Sequence, residues 1–366
     1  MNTKKNVLII AYDGMNKSGV PGVIMEIING LHEQYNFSIA VFEDIKTHYH
    51  YQRLLELGIE IINIPEIKNG NKIRNFYNEY IGYHKFLYKY FKKIFKENHI
   101  DIVHSFKEGD SSGIFKAAKE CGIKNRIWHT TVLHKYKRNL IGFLSSHKQK
   151  LTNKYVSNCV GGSKLSCELA FKKKEFKVIV NCYNSDIYSF IQSGPFKRLE
   201  LVQVGYLSPN KNQLFTLEVC KRLINYYPDM LMHFFGYTND SMYGNKFNNF
   251  ISDNHLEKNV KIHNPMDSQL DVLKSASFSL TPSIIEGFSL TLIEAQACGV
   301  SCIASTGVPE DANAGGVTYL DLNIDLWAQH IIDSFETTKG VHKKFDMARY
   351  QRQTFVKNIT DIYKLF

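Results

Sequence analysis

The chain has no Cys-x-x-Cys pair, and its seven cysteines are odd in number. That argues against a disulfide framework and for reduced thiols in a cytoplasm. Cys298 and Cys302 stand four apart, but one ends a helical stretch and the other lies in the next strand, a poor metal pair. No apolar run reaches the ~18 residues of a membrane helix. The apolar stretch before Asp13 is six residues long, too short for a signal peptide, so no leader is expected. No Gly-x-Gly-x-x-Gly follows Asn6–Tyr12, which disfavours a nicotinamide dehydrogenase. Repeats and low-complexity tracts are missing too.

What is there suits two ordinary cores. The chain has 366 residues, 44% of them hydrophobic and 13% aromatic, more than one core comfortably holds. Short apolar runs alternate with helical stretches: 6–12, 37–42, 60–64 and 101–104, then 201–204 and 231–235. Such alternation predicts parallel sheets flanked by helices. Gly194 and Pro195 break the pattern, so the domains are read as 1–195 and 196–348, with a final helix over 349–366.

A formal charge of +10 asks for a partner. Basic residues cluster in Lys85–Lys96, Lys135–Lys150 and Lys172–Lys177. In the first, Leu87, Tyr90, Phe91 and Ile94 share one helical face. Basic helices with aromatic content lie on anionic bilayers; the alternative is a core-packed helix with a solvated lysine face. No nucleic-acid motif is present, and nucleic acid is not expected as a partner.

The most informative segment runs from Ser277 to Gly299. A short apolar strand ends at Pro282, and Leu290, Ile293 and Ala297 then recur at helical spacing until Gly299. Glu286 falls in the turn, and Glu294 is expected two turns into the helix. The amides of Phe288, Ser289, Leu290 and Thr291, after Gly287, form a helix N-terminus that suits a phosphate. A carboxylate further down such a helix can hold ribose hydroxyls, as in dinucleotide folds. The spacing fits equally a plain strand-turn-helix with one surface and one capping carboxylate.

The wording of the segment, Pro-Ser-Ile-Ile-Glu286-Gly-Phe-Ser-Leu-Thr-Leu-Ile-Glu294, resembles the Glu-x7-Glu signature of retaining glycosyltransferases of family 4, most of all the capsule and exopolysaccharide enzymes. Val204-Gly205-Tyr206 through Lys211 resembles that family's phosphate strip, Phe234-Phe-Gly236 its next strand and turn, and Val160–Ser163 the close of its first domain. The resemblance implies a GT-B fold: α/β, two Rossmann-like doubly wound parallel-sheet domains facing a central cleft, with the last helix crossing back to the first. It implies that Glu286, His129 and Lys211 serve the chemistry and that Glu294 and Lys211 hold the nucleotide. Gly205, Tyr206, Gly236 and the 287–291 turn would complete that donor site. His129, at the end of the strand Arg126–Thr130, matches a position that touches the transferring sugar. His104 ends the neighbouring strand and, with the glycine-rich turn Gly19–Gly22, is placed on the acceptor side. The family usually has Gly-Gly in that turn and an Arg at the position of Tyr206, so this chain departs at both.

The expectation is therefore transfer of a hexose or N-acetylhexosamine, with retention, from a UDP-sugar to a lipid-linked glycan in cell-surface polysaccharide synthesis. The enzyme would work in the cytoplasm at the inner face of the membrane, in contact with its anionic surface. No cofactor is required and, with no Asp-x-Asp motif, no metal. The alternative, kept alive by Tyr206, is a weak or inactive relative that binds glycan or a partner transferase.

Overall fold

The computed structural model describes residues 4–12, 14–65, 82–107, 111–131, 140–172, 174–236, 240–264 and 267–366, with backbone alone for 140–145. They form two compact units, one of residues 1–181 with 352–366, the other of 182–351.

The first unit is a seven-stranded sheet, all neighbours parallel. In chain order its strands are β1 (Asn6–Ala11), β2 (Asn36–Val41), β3 (Glu60–Asn63), β4 (Ile102–Ser105), β5 (Asn125–Thr130), β6 (Asn158–Gly161) and β7 (Lys177–Val178). They lie in the order β3-β2-β1-β4-β5-β6-β7. This is the doubly wound arrangement, whose strand order reverses between β1 and β4. Helix α1 (Gly19–Leu31) buries Ile24, Ile27, Ile28 and Leu31, the stripe its periodicity predicts. Pro21 sits in its first turn, where no amide hydrogen bond is lost. Helices α2 (Tyr51–Glu56), α3 (Tyr83–Glu97), α4 (Ser112–Glu120), α5 (Leu140–Tyr155) and α6 (Lys164–Phe171) follow between the strands. Ser163 and Ser166 form a capping box at the start of α6, in the segment Val160–Ser163 singled out above. The last helix of the chain, α12 (Arg352–Tyr363), packs on α1 so closely that a Cβ on Gly30 would come 2.4 Å from Val356. Arg352 pairs with Glu26, and the Asn125 amide donates to the Ile362 carbonyl at 2.9 Å.

The second unit holds a six-stranded parallel sheet in the same winding. Its strands are β8 (Glu200–Val204), β9 (Leu231–Phe235), β10 (Val260–His263), β11 (Phe278–Thr281), β12 (Ser301–Ser305) and β13 (Val317–Leu320). They lie in the order β10-β9-β8-β11-β12-β13, which reverses between β8 and β11. Helices α7 (Gln213–Leu223), α8 (Ser241–Asp253), α9 (Gln269–Leu273), α10 (Leu290–Ala297) and α11 (Ile324–Thr338) accompany the strands. Residues 182–195, read from sequence as part of the first domain, belong to this unit. Their contacts explain it: Ile191 N–H donates to the Cys298 carbonyl at 3.1 Å, and His342 N–H to Ser193 Oγ at 2.9 Å. A glycine-proline break is a weaker boundary signal than these non-local bonds.

Of the basic stretches, residues 135–139 and Lys173 lie outside the described residues. Helix α3 buries Leu87, Phe91, Ile94 and Phe95, so the core takes its apolar face. Lys85, Lys89, Lys93 and Lys96 remain in solvent. No helix among the described residues is long and apolar enough to cross a membrane.

Candidate functional site

In doubly wound sheets, ligands bind beyond the carboxyl ends of the strands where the order reverses. In the second unit that place is set by the ends of β8 and β11, and the sequence motifs fall there. After β8 the chain turns at Gly205, whose φ is +145° and whose amide donates to the Phe235 carbonyl at 2.9 Å. Gly236 follows β9 at φ +152°, and a Cβ there would lie 2.1 Å from the Gly205 carbonyl oxygen. The two glycines thus let adjacent strand ends touch backbone to backbone. The strip 205–212 is tied from below: Gln203 Nε2 donates to the Lys211 carbonyl at 2.7 Å, and Gln213 Nε2 to the Tyr206 carbonyl at 2.9 Å. Its lysine chain runs over Gly205, 3.2 Å from the place a Cβ would take.

Lys211 Nζ meets Glu286 Oε1 at 2.5 Å, and Ser283 Oγ donates to the same oxygen at 2.6 Å. Among the described residues, no hydrogen bond engages Glu286 Oε2. The carboxylate is largely buried, its side chain 10% exposed, with both bonds on one oxygen. Ser283 was not singled out from sequence, where it read only as the end of a strand. Its turn is braced on both sides. Ile284 N–H donates to the Asn210 carbonyl at 2.8 Å, Glu286 N–H to the Gly307 carbonyl at 3.0 Å, and Ser305 Oγ to the Ser283 carbonyl.

Helix α10 begins later than its sequence suggests. Ser289 is the N-cap and Leu290 the first helical residue, so Gly287 and Phe288 precede the helix. Glu294 is therefore the fifth helical residue, just past one turn rather than two. The bond from Glu286 N–H to Gly307 holds the preceding turn in loop geometry. Ser289 makes no side-chain cap and engages Thr291 Oγ1 instead, at 3.1 Å. No acidic residue occupies the first turn, which leaves the positive helix end to an incoming anion. Leu290, Thr291 and Glu294 are the helix positions that are not fully buried, with Glu294 three residues after Thr291 and four after Leu290, on one side of the helix. Tyr206, where a guanidinium is usual in the resembled family, is 45% exposed. A phenol there supplies a neutral hydrogen bond at most, so Lys211 is the cation of this strip.

In the first unit, His104 and His129 lie at the ends of β4 and β5, both fully buried. Their rings stack with centroids 5.4 Å apart, and Phe106 stacks on both. His104 Nε2 meets His129 Nδ1 at 3.2 Å, and His104 Nδ1 meets the Tyr363 hydroxyl at 2.8 Å. Burial pushes His129 down to about 3; burial and then the charge of His129 hold His104 well below the usual imidazole range. Both rings are neutral near pH 7. Gly19 and Gly22, read as a glycine-rich strand-to-helix turn, lie in the first turn of α1, and a Cβ on Gly22 would meet nothing within 4 Å. The glycine that this turn requires is Gly14, at φ +64° with Glu43 2.2 Å from its missing Cβ. All seven cysteines are free, and no metal-binding group of His, Cys, Asp or Glu exists among the described residues.

Known proteins resemble this chain in sequence and in fold. The family model for glycosyl transferases group 1 matches residues 185–320, the stretch that carries Lys211, Glu286 and Glu294. The chain is 31% identical over 230 residues to the capsular polysaccharide biosynthesis glycosyltransferase CapH of Staphylococcus aureus, covering 59% of this chain and 62% of that protein. It is 33% identical over 107 residues to the UDP-Gal:alpha-D-GlcNAc-diphosphoundecaprenol alpha-1,3-galactosyltransferase of Escherichia coli, covering 28% and 26%. The chain thus matches under two thirds of the length of these curated relatives. Among solved structures, Anabaena HepE in complex with UDP superposes with a TM-score of 0.76 at 13% identity, covering 98% of each chain. The fold is GT-B, and residues 185–320 are similar to the glycosyl transferases group 1 family.

Proposed function

We propose that this chain moves a hexose or N-acetylhexosamine from a UDP-sugar to a lipid-linked glycan with retention at the anomeric carbon. The observation that carries the reading is the Lys211–Glu286–Ser283 constellation at the strand reversal of the second unit, beside the uncapped start of α10. The diphosphate takes the helix end and Lys211, while Glu294 holds the ribose. Glu286 Oε2 faces the sugar and stabilises positive charge as it grows on the ring. The bond from the anomeric carbon to the phosphate oxygen breaks as the acceptor oxygen bonds to the same face. The acceptor's hydroxyl proton passes to the departing phosphate. Stabilising the charge that develops on that phosphate is expected to contribute most to the rate. His129 contacts the transferring sugar, and the acceptor is held by the first unit near His104 and the start of α1. The step uses no divalent metal, so transfer is expected to survive a chelator. The names of CapH and the galactosyltransferase support a capsule-type product and a diphosphate-linked lipid acceptor. That acceptor places the enzyme on the cytoplasmic face of the membrane, where the lysines of α3 meet anionic lipid.

A titration of UDP, GDP and ADP by calorimetry without metal tests the donor site. Preferential UDP binding that Glu294→Ala abolishes is expected. Failure to bind any nucleotide would favour the second reading, a glycan- or partner-binding relative, which Tyr206 in place of a guanidinium supports.

A further inference from the structure

A chain of hydrogen bonds runs through the first unit from the last helix to His129. Tyr363 Oη lies 2.8 Å from His104 Nδ1, and His104 Nε2 lies 3.2 Å from His129 Nδ1. His129 Nε2 is buried and has no hydrogen-bond partner among the described residues. Both rings are neutral, so each carries one proton, and the direction of the whole chain is set by where the tyrosine proton goes. If Tyr363 accepts from His104, its own buried proton has no other acceptor among the described residues, and a weakly basic phenol oxygen replaces an imidazole nitrogen as acceptor. If Tyr363 donates, the stronger acceptor is used, and 2.8 Å suits a hydroxyl donor. His104 then keeps its proton on Nε2 and donates to His129 Nδ1. The proton of His129 must sit on Nε2.

We infer that Tyr363 and His104 are positioning residues that hold His129 in the Nε2–H tautomer, presenting a hydrogen-bond donor to an oxygen of the bound substrate. The role of the donor rests on the function proposed above; the tautomer does not. A substrate oxygen supplies the acceptor that this buried N–H lacks. An Nε2–H donor pairs with any ether, hydroxyl or phosphate oxygen, whereas the other tautomer accepts only from a hydroxyl or an amide N–H.

The test is nitrogen-15 NMR of histidine-labelled protein without ligand, with the His129 ring signals assigned by their loss in His129→Gln. Protonated Nε2 and unprotonated Nδ1 are expected at His129. In Tyr363→Phe, which deletes one oxygen, the His129 signals should move toward an average of the two tautomers. A proton on Nδ1 in the wild type, or a His129 spectrum unchanged by Tyr363→Phe, would overturn the inference. Either result leaves nucleotide binding by the second unit untouched, so this failure is distinct from failure of the proposed activity.

Discussion

Glu286 shows how a single side chain is prepared for chemistry by its neighbours. Ser283 and Lys211 both engage Oε1, so Oε2 keeps a fixed direction. Glu286→Gln keeps the size and loses the charge, and it is expected to lower transfer by at least about a hundredfold while UDP affinity stays within a few fold, as initial rates and calorimetry would show. Ser283→Ala removes only the second tether, worth about 1 kcal/mol, so a rate loss of about three- to tenfold is expected. The buried groups also set the acid limit. His129 has a folded value near 3, below its unfolded value of about 6.5. Between those values the unfolded chain binds a proton that the folded chain refuses, so this contribution to stability is intact above pH 6.5 and lost as pH falls. Burial tends to raise Glu200, but bonds from His233, Ser275 and Arg198 outweigh it and hold it at about 2. Its contribution is present above about pH 4.5 and lost on the way to 2. Denaturant melts should therefore show stability falling from pH 6.5 downward, and His129→Gln should flatten the upper part of that slope. The carboxylates were legible in sequence because a motif surrounds them. Ser305 and Tyr363 were not, since their partners lie far along the chain, 22 positions for Ser305 and 259 for Tyr363; Ser283 stands only three residues from Glu286, but it read as the end of a strand and its bond depends on the turn that follows.

At the scale of elements, strands and helices were legible and turns were less so. β9 starts and ends where its apolar run does, and α12 falls inside the expected 349–366. The start of α10 was misjudged because Gly287 and Phe288 are compatible with a helix locally; a carbonyl from the loop after β12 decides otherwise. The glycines show the same limit. Gly236→Ala drives a Cβ into the Gly205 carbonyl at a positive φ and is expected to destabilise the second unit by about 2 kcal/mol, read in thermal melts by the fluorescence of Trp327. Gly22→Ala has room and sits in a helix, so stability should be unchanged or higher by up to about 1 kcal/mol. A loss of transfer in that stable variant would mark Gly22 as a place where substrate meets backbone.

For the whole molecule, the charge was legible but its disposition was not. Tyr90, Phe91 and Leu87 suggested a face for lipid, yet the core takes Leu87 and Phe91 and leaves lysines outside. The proposed contact of α3 with a bilayer would then be electrostatic, at about 1 kcal/mol per lysine. Binding to vesicles rich in anionic lipid should weaken steeply with salt, and Lys85→Glu with Lys89→Glu should lower it at least tenfold in a sedimentation assay. Vesicle binding that ignores both salt and those substitutions would point to another surface.

The place of α12 also bears on how the protein is made. On the ribosome, β1 to β7 emerge first but wait for the helix that closes their unit. The second unit lies wholly between, and it is complete before that helix exists. At elongation rates of about 5–20 residues per second the delay is about ten to thirty seconds, with the seat of Glu26 and Asn125 unfilled. A message cut short after the second unit would thus yield an intact second unit and a first unit that never sets its histidines.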